Sequence, residues 1–268
     1  MTPKPFNFWR AGAALVVALL AFEAAADAPQ AARDAEIVVI GEQHDNPAHH
    51  IRQAEWVAAL QPKALVFEML TPVQGVKANV DWADQAALDA TIGWSQTAWP
   101  SFDMYYPIFE AGRGALIYGA GVPREELRVQ LTQALAVHPL ASLFDLDQPA
   151  DPDEQEAREL LQARAHCDAL PEAMLPVMVD AQRLRDMVLA DVTLRALAHT
   201  GGPVVVITGN GHARTDWGMP ALVANAAPDV DVFAVGQGEE GAAVEGAFSI
   251  TLDAPSPARG DPCAAFSQ

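Results

Sequence analysis

Two stretches decide the fold: Ile37-Val-Val-Ile-Gly-Glu-Gln-His44 near the start of the chain and Val204-Val-Val-Ile-Thr-Gly-Asn-Gly-His212 near its end. Each is a run of β-branched residues without polar alternation, closed by glycine. A strand with that pattern is buried on both faces, as in a parallel sheet covered by helices. Ala64-Leu-Val-Phe-Glu68 is a third run of the same kind. In open α/β sheets ligands bind outside the carboxyl ends of the strands. Glu42, His44, Glu68 and His212 are therefore predicted to share one rim, although far apart in sequence.

Working outward, the pattern alternates between strand and helix. Pro47 to Leu60 reads as a helix capped by Asn46, with proline in its first turn. Lys63–Met69 is a strand, followed by helical segments and a stretch holding Trp82, Trp94, Trp99, Phe102, Tyr105, Tyr106 and Phe109. Ala115–Tyr118 is a strand, Pro123–Val137 a helix, and residues 153–167 and 172–199 long helices. Strands follow at 203–208, 231–235 and 247–252, with a helix at 218–226. The expected fold is α/β: a mostly parallel central sheet, helices on both faces, and a helical insertion over the strands' carboxyl-terminal rim.

The chain has 268 residues, of which 51% are hydrophobic, enough for one domain with a substantial core. Its formal charge of −19 repels phosphate backbones, which excludes nucleic acid as a partner class. Lys4 and Arg10 precede an apolar stretch from Ala11 to Phe22, and Ala24-Ala25-Ala26 follows. That pattern reads as an export signal over residues 1–26, cleaved near Ala26. The expected location is the periplasm or outside the cell, and with no Cys at the junction the sequence does not read as a lipoprotein. The α/β domain is assigned to 27–255 and a loose tail to 256–268. Cys167 and Cys263 either pair, tying the tail to the body, or remain two free thiols.

The rim residues suggest chemistry. Imidazole nitrogen and carboxylate oxygen suit zinc, manganese or iron. Glu42 and His44, two apart at a strand-to-loop junction, can both point at one ion, and Glu68 can complete the site or act as a base. Gly209 and Gly211 let the backbone approach a ligand before His212. The plain alternative is that these groups hydrogen-bond one another and hold the loops. Gln182, Arg185 and Asp186 fall on one helix face, where Arg185 can pair a ligand carboxylate. A solvated, locally ion-paired face is the alternative there.

Together, Gly41-Glu-Gln-His-Asp-Asn-Pro-Ala-His-His50, Phe67-Glu-Met69, His166-Cys167, Gln182-Arg-Leu-Arg-Asp186 and Gly209-Asn-Gly-His-Ala-Arg214 resemble the ChaN-like haem-binding proteins. Their wider superfamily includes the Tiki metalloproteases and, more remotely, the erythromycin esterases. The resemblance runs in order from about residue 36 to 236. It implies an α/β fold, export, and haem or another small molecule bound in a homodimer. It also implies iron-linked expression and a place in haem uptake with an outer-membrane receptor system. Tyr105 or Tyr106 is the implied haem ligand, with His166, Gln182, Arg185, Asp186 and Arg214 around the cofactor. The metalloprotease branch implies instead a divalent metal on Glu42, His44, Glu68 and His212, making the chain a metal-dependent hydrolase. The chain departs from the ChaN-like pattern in lacking a lipidated cysteine. It also carries Gly121-Val-Pro-Arg124 where relatives often have Asn before the Pro-Arg pair.

Overall fold

A computed structural model describes residues 27–261, 263 and 264. The expected export signal at 1–26 lies outside the described residues. In chain order the elements are α1 (Gln30–Asp34), β1 (Ile37–Glu42), α2 (Pro47–Leu60), β2 (Ala64–Phe67), α3 (Pro72–Ala78), α4 (Gln85–Ile92) and α5 (Phe102–Ala111). Then come β3 (Leu116–Gly119), α6 (Arg124–Gln130), α7 (Pro152–Ala165), α8 (Leu175–Thr200), β4 (Val204–Gly209), α9 (Asn210–Ala213), α10 (Met219–Ala226), β5 (Val232–Glu239) and β6 (Ile250–Ala254).

The six described strands form one sheet in the order β3-β2-β4-β1-β5-β6. Every pairing is parallel. The chain runs outward from β1 to β2 and β3, then returns to insert β4 between β2 and β1. β1 and β4 are thus the central pair, in register from Ile37 opposite Val204 to Glu42 opposite Gly209. Their carboxyl ends lie where the winding reverses, the position where such sheets leave a crevice.

The inner strands β1, β2 and β4 are buried on both faces, which explains the unbroken apolar runs. Val38, Ile40, Leu65, Phe67, Val205 and Ile207 pack with Trp56 and Val57 of α2 and Ile108 and Phe109 of α5. Ile37, Val39, Ala64, Val66, Val204 and Val206 face the other way, onto Leu184, Met187 and Ala190 of α8 and Val223 of α10. Burying each such aliphatic side chain contributes about 1.5–3 kcal/mol. The alternation fixes where the next residue along each strand points. Glu42 continues the β1 series of Val38 and Ile40, toward α2 and α5. Glu68 continues the β2 series of Ala64 and Val66, toward α8.

Several details differ from the sequence reading, among them the last strand, expected at 247–252 and found at Ile250–Ala254. The helix expected from Pro123 stops at Gln130, and the chain turns through short 3-10 segments that bury Leu135 and Phe144 under α8 and α10. β5 runs on to Glu239, because Gln237 is buried and its amide donates to Gly41 O at 2.7 Å. The tail is tied down. Arg259 grips Asp45 at 2.8 Å and Glu239 at 2.6–2.7 Å, and Cys263 forms a disulfide with Cys167.

Candidate functional site

Glu42 ends β1 with its side chain fully buried. Oε1 lies 2.7 Å from His44 Nδ1 and accepts the Tyr105 hydroxyl of α5. Oε2 accepts from Gln53 Nε2 at 2.7 Å and lies 3.4 Å from His50 Nδ1, both on α2. Burial alone would push the carboxyl up, but the hydrogen bonds from His44 and His50 hold it down at about 2. Burial opposes a charge on His44 as well, yet its bond to Glu42 and the Glu68 charge raise it to about 8. Tyr105 is driven the opposite way from a phenolate: burial and the Glu42 charge raise it far above the ordinary phenol range.

The second cluster lies on the α8 side. Glu68 Oε2 accepts from Thr208 Oγ1 at 2.7 Å and from Gly209 N at 2.8 Å. Its Oε1 lies 3.4 Å from His212 Nε2, and His212 Nδ1 meets Asp186 Oδ1 at 2.7 Å. One imidazole thus sits between two carboxylates. Burial disfavours its charge, but the fields of Glu68 and Asp186 outweigh that and push His212 up to about 10. Those fields also keep Glu68 ionised, well below the usual carboxylate range despite its burial. Asp186 shifts upward because burial dominates, and among the described residues its Oδ2 is buried without a partner. Gly209 separates the two clusters: a Cβ there would lie 3.0 Å from His44 Nε2 and 3.7 Å from Glu68 Oε2.

The rim side chains therefore converge, but not on one ion. Strand parity sends Glu42 and Glu68 to opposite faces, and each carboxylate is taken up by hydrogen bonds. Among the described residues no group of three or more His, Cys, Asp or Glu is placed to hold a metal ion. The expectation of a divalent centre at Glu42, His44, Glu68 and His212 gains no support from this geometry.

Above the clusters lies a cavity of about 1100 Å³. Its floor includes Glu42, His44, Glu68 and His212; its walls include Leu127, Leu131, Val177, Met178 and Leu189, with His166, Gln182 and Arg185 at the polar positions. Gln182 Nε2 lies 3.2 Å from His212 Nδ1. Arg185 is half-buried on α8, and among the described residues its guanidinium has no carboxylate or carbonyl partner.

Four of the expected cofactor residues do not line this cavity, Asp186 being held beneath it by His212. Tyr105 is wholly buried and committed to Glu42. Tyr106, on the outer side of α5, donates to Glu110 Oε2 at 2.7 Å. Arg214 is held by both oxygens of Asp216 at 2.6 Å and stacks 3.5 Å over Trp217, beside a neighbouring cavity of about 490 Å³. Neither tyrosine lines this cavity: the Tyr105 hydroxyl is held by Glu42 in the core and the Tyr106 hydroxyl by Glu110 outside it. Sequence reading also missed Gln53, Thr208 and Trp99, whose ring lies 4.9 Å from that of His44. For Gln53 a signal existed: with His50 it places two polar residues one turn apart at positions of α2 that face the core.

The fold matches solved structures. The ChaN protein of Campylobacter jejuni, described as showing cofacial heme binding, superposes with a TM-score of 0.61 at 18% identity, over 81% of this chain and 87% of that one. The type III effector HopBA1 gives a TM-score of 0.49 at 15% identity, over 85% of this chain and 91% of that one. No curated protein matches in sequence. The profile described as haem-binding uptake, Tiki superfamily, ChaN matches residues 28–223, which span β1 to β4 and both clusters on the rim. The chain belongs to this ChaN family of haem-binding uptake proteins.

Proposed function

We propose that this protein binds haem in the large cavity and serves haem or iron uptake outside the cytoplasm. The observation that carries the reading is the Arg185 guanidinium, unpartnered among the described residues, on the partly apolar wall of a cavity of about 1100 Å³, in a chain of the haem-binding family. Haem needs apolar walls, cations for its propionates and an axial donor. Leu127, Leu131, Val177 and Met178 supply the walls, and Arg185 a cation suited to a carboxylate. Bound haem would supply a ferric iron, while Arg185 would orient a propionate and Leu127, Leu131, Val177 and Met178 would shield the ring. The basic-then-apolar start of the sequence supports export, and family membership supports a homodimer working with a haem receptor system.

Titration of the purified protein with ferric haem tests the reading. A saturable Soret change at micromolar concentration is expected, and Arg185→Ala should weaken it roughly tenfold by removing a desolvated charge pair. A wild-type protein that leaves the haem spectrum unchanged refutes it. The metal-dependent hydrolase reading gains no support from the geometry, because strand parity divides its proposed ligands between two faces.

A further inference from the structure

The carboxyl-terminal tail and α7 meet at one covalent bond. Leaving β6, the tail lies across the loop between β1 and α2. Asn46 Nδ2 donates to Pro255 O at 3.0 Å, and the Arg259 guanidinium takes both Asp45 oxygens at 2.8 Å and Glu239 at 2.6–2.7 Å. Further on, Cys263 is bonded to Cys167, just past the end of α7. On the side gripped by Arg259, Gln43 and Glu239 line the smaller cavity, and Gln43 and His44 the larger. On the other side Gln162 and Ala165 of α7 line both. The tail thus straps one wall of the two cavities to the other.

α7 has little of its own to hold it in place. Of its 14 residues only Arg158 is buried, and the element it packs on is α8. Arg158 Nη2 donates to Trp217 O at 2.8 Å. Arg164 pairs with Glu245 at 2.7 Å, but both side chains are more than half exposed, and such a pair adds little. Two features oppose the observed position. Arg158 Nη1 is buried with no partner among the described residues, and a donor left so disfavours the arrangement that buries it. The turn out of α7 puts Cys167 and Asp168 at left-handed φ values of 55° and 54°, which residues with a Cβ adopt at a cost. The tail, by contrast, is seated without the disulfide, because Arg259 binds two carboxylates and holds Glu239 down at about 2.

We propose that the bond between Cys167 and Cys263 is a redox-operated clasp on α7: formed, it keeps α7 seated as a shared wall of both cavities, and reduced, it lets α7 swing away and opens them. Both cysteines are only half-buried, so a thiolate can reach the bond. A dithiol supplies the two electrons. One of its thiolates attacks a sulfur of the bond and forms a mixed disulfide, and its second thiolate then displaces that link. Cys167 and Cys263 are left as two thiols and the dithiol as its own disulfide. With Arg259 still gripping the body, the element set free is α7. The proposal does not depend on what the cavities bind.

Hydrogen exchange on the full chain tests the clasp, first oxidised and then reduced with dithiothreitol at neutral pH without denaturant. After reduction the amides of α7 should exchange at least roughly tenfold faster, with little dependence on added urea, as local opening requires. Amides of β1 and β4 should keep the slow, urea-dependent exchange of global unfolding. Trypsin should begin to cut after Arg158, whose side chain is 7% exposed in the closed position. Cys263→Ser should behave without reductant as the reduced wild type does, and should not respond to dithiothreitol. A bond that the dithiol cannot reduce in the folded protein overturns the proposal, as does α7 exchange unchanged by reduction. An equal acceleration in α7, β1 and β4 overturns it too, by making the bond a staple on the whole fold.

Discussion

At the scale of single residues, the two rim clusters govern how stability follows pH. His212 is raised from 6.5 to about 10, so its contribution is complete below pH 6.5 and is lost as pH rises through 10. Glu42 is lowered from 4.5 to about 2, so its contribution is present above pH 4.5 and is lost as pH falls through 2. Urea unfolding should therefore show a plateau between these limits and a loss of a few kcal/mol on the alkaline side. His212→Gln should flatten the alkaline arm; equal unfolding free energies for wild type at pH 6 and pH 10 would contradict this account. That Glu42, His44, Glu68 and His212 share a rim was legible, because each follows a strand that only a parallel sheet can bury. Which face each carboxylate takes was not legible. A strand apolar on both sides carries no amphipathic parity to orient it. Nor could a sequence show that α5 would deliver the Tyr105 hydroxyl to Glu42 rather than to a ligand.

At the scale of elements, the close contacts are where substitutions should tell most. Gly75 of α3 lies against β3 so closely that an added Cβ would stand 2.3 Å from Gly119 N, a backbone atom. Gly75→Ala should cost about 1–3 kcal/mol by forcing the helix off the edge strand, read as a lower urea midpoint. Leu184 of α8 is 1% exposed within the cluster that covers β1, β2 and β4. Leu184→Ala should cost about 2–5 kcal/mol, and a loss below roughly 1 kcal/mol would mean that α8 is less firmly packed than described. Interiors of elements were legible and ends were not. α2 shows its start through Asn46 and Pro47, since Asn46 Oδ1 accepts from Ala48 N at 2.9 Å. The end of β5 was hidden, because Gly236, Gln237 and Gly238 carry no strand signal and are held by partners distant in sequence.

At the scale of the molecule, the disulfide between Cys167 and Cys263 closes a loop of 96 residues and anchors the tail beside His166. Loops of that length contribute about 2–5 kcal/mol, largely by restricting the unfolded chain. Cys263→Ser, or reduction of the wild type, should lower the unfolding free energy by that order. Unchanged stability under reductant would show that Arg259 and its carboxylates suffice to hold the tail. The whole fold class was legible from three apolar runs, whereas the pairing of the cysteines was not, because no local pattern brings residues 167 and 263 together.

The strand order has a consequence for how the protein is made. β1 is the first strand to leave the ribosome, yet its two neighbours are β4 and β5. Ile37 to Ile40 therefore has no ladder to join until β4, ending at Gly209, has been added. At translation rates of about 5–20 residues per second, that wait is roughly 8–34 s. For that time an apolar tetrapeptide destined for the centre of the sheet is bare, and the nascent chain can be held by a chaperone before the central pair of strands closes.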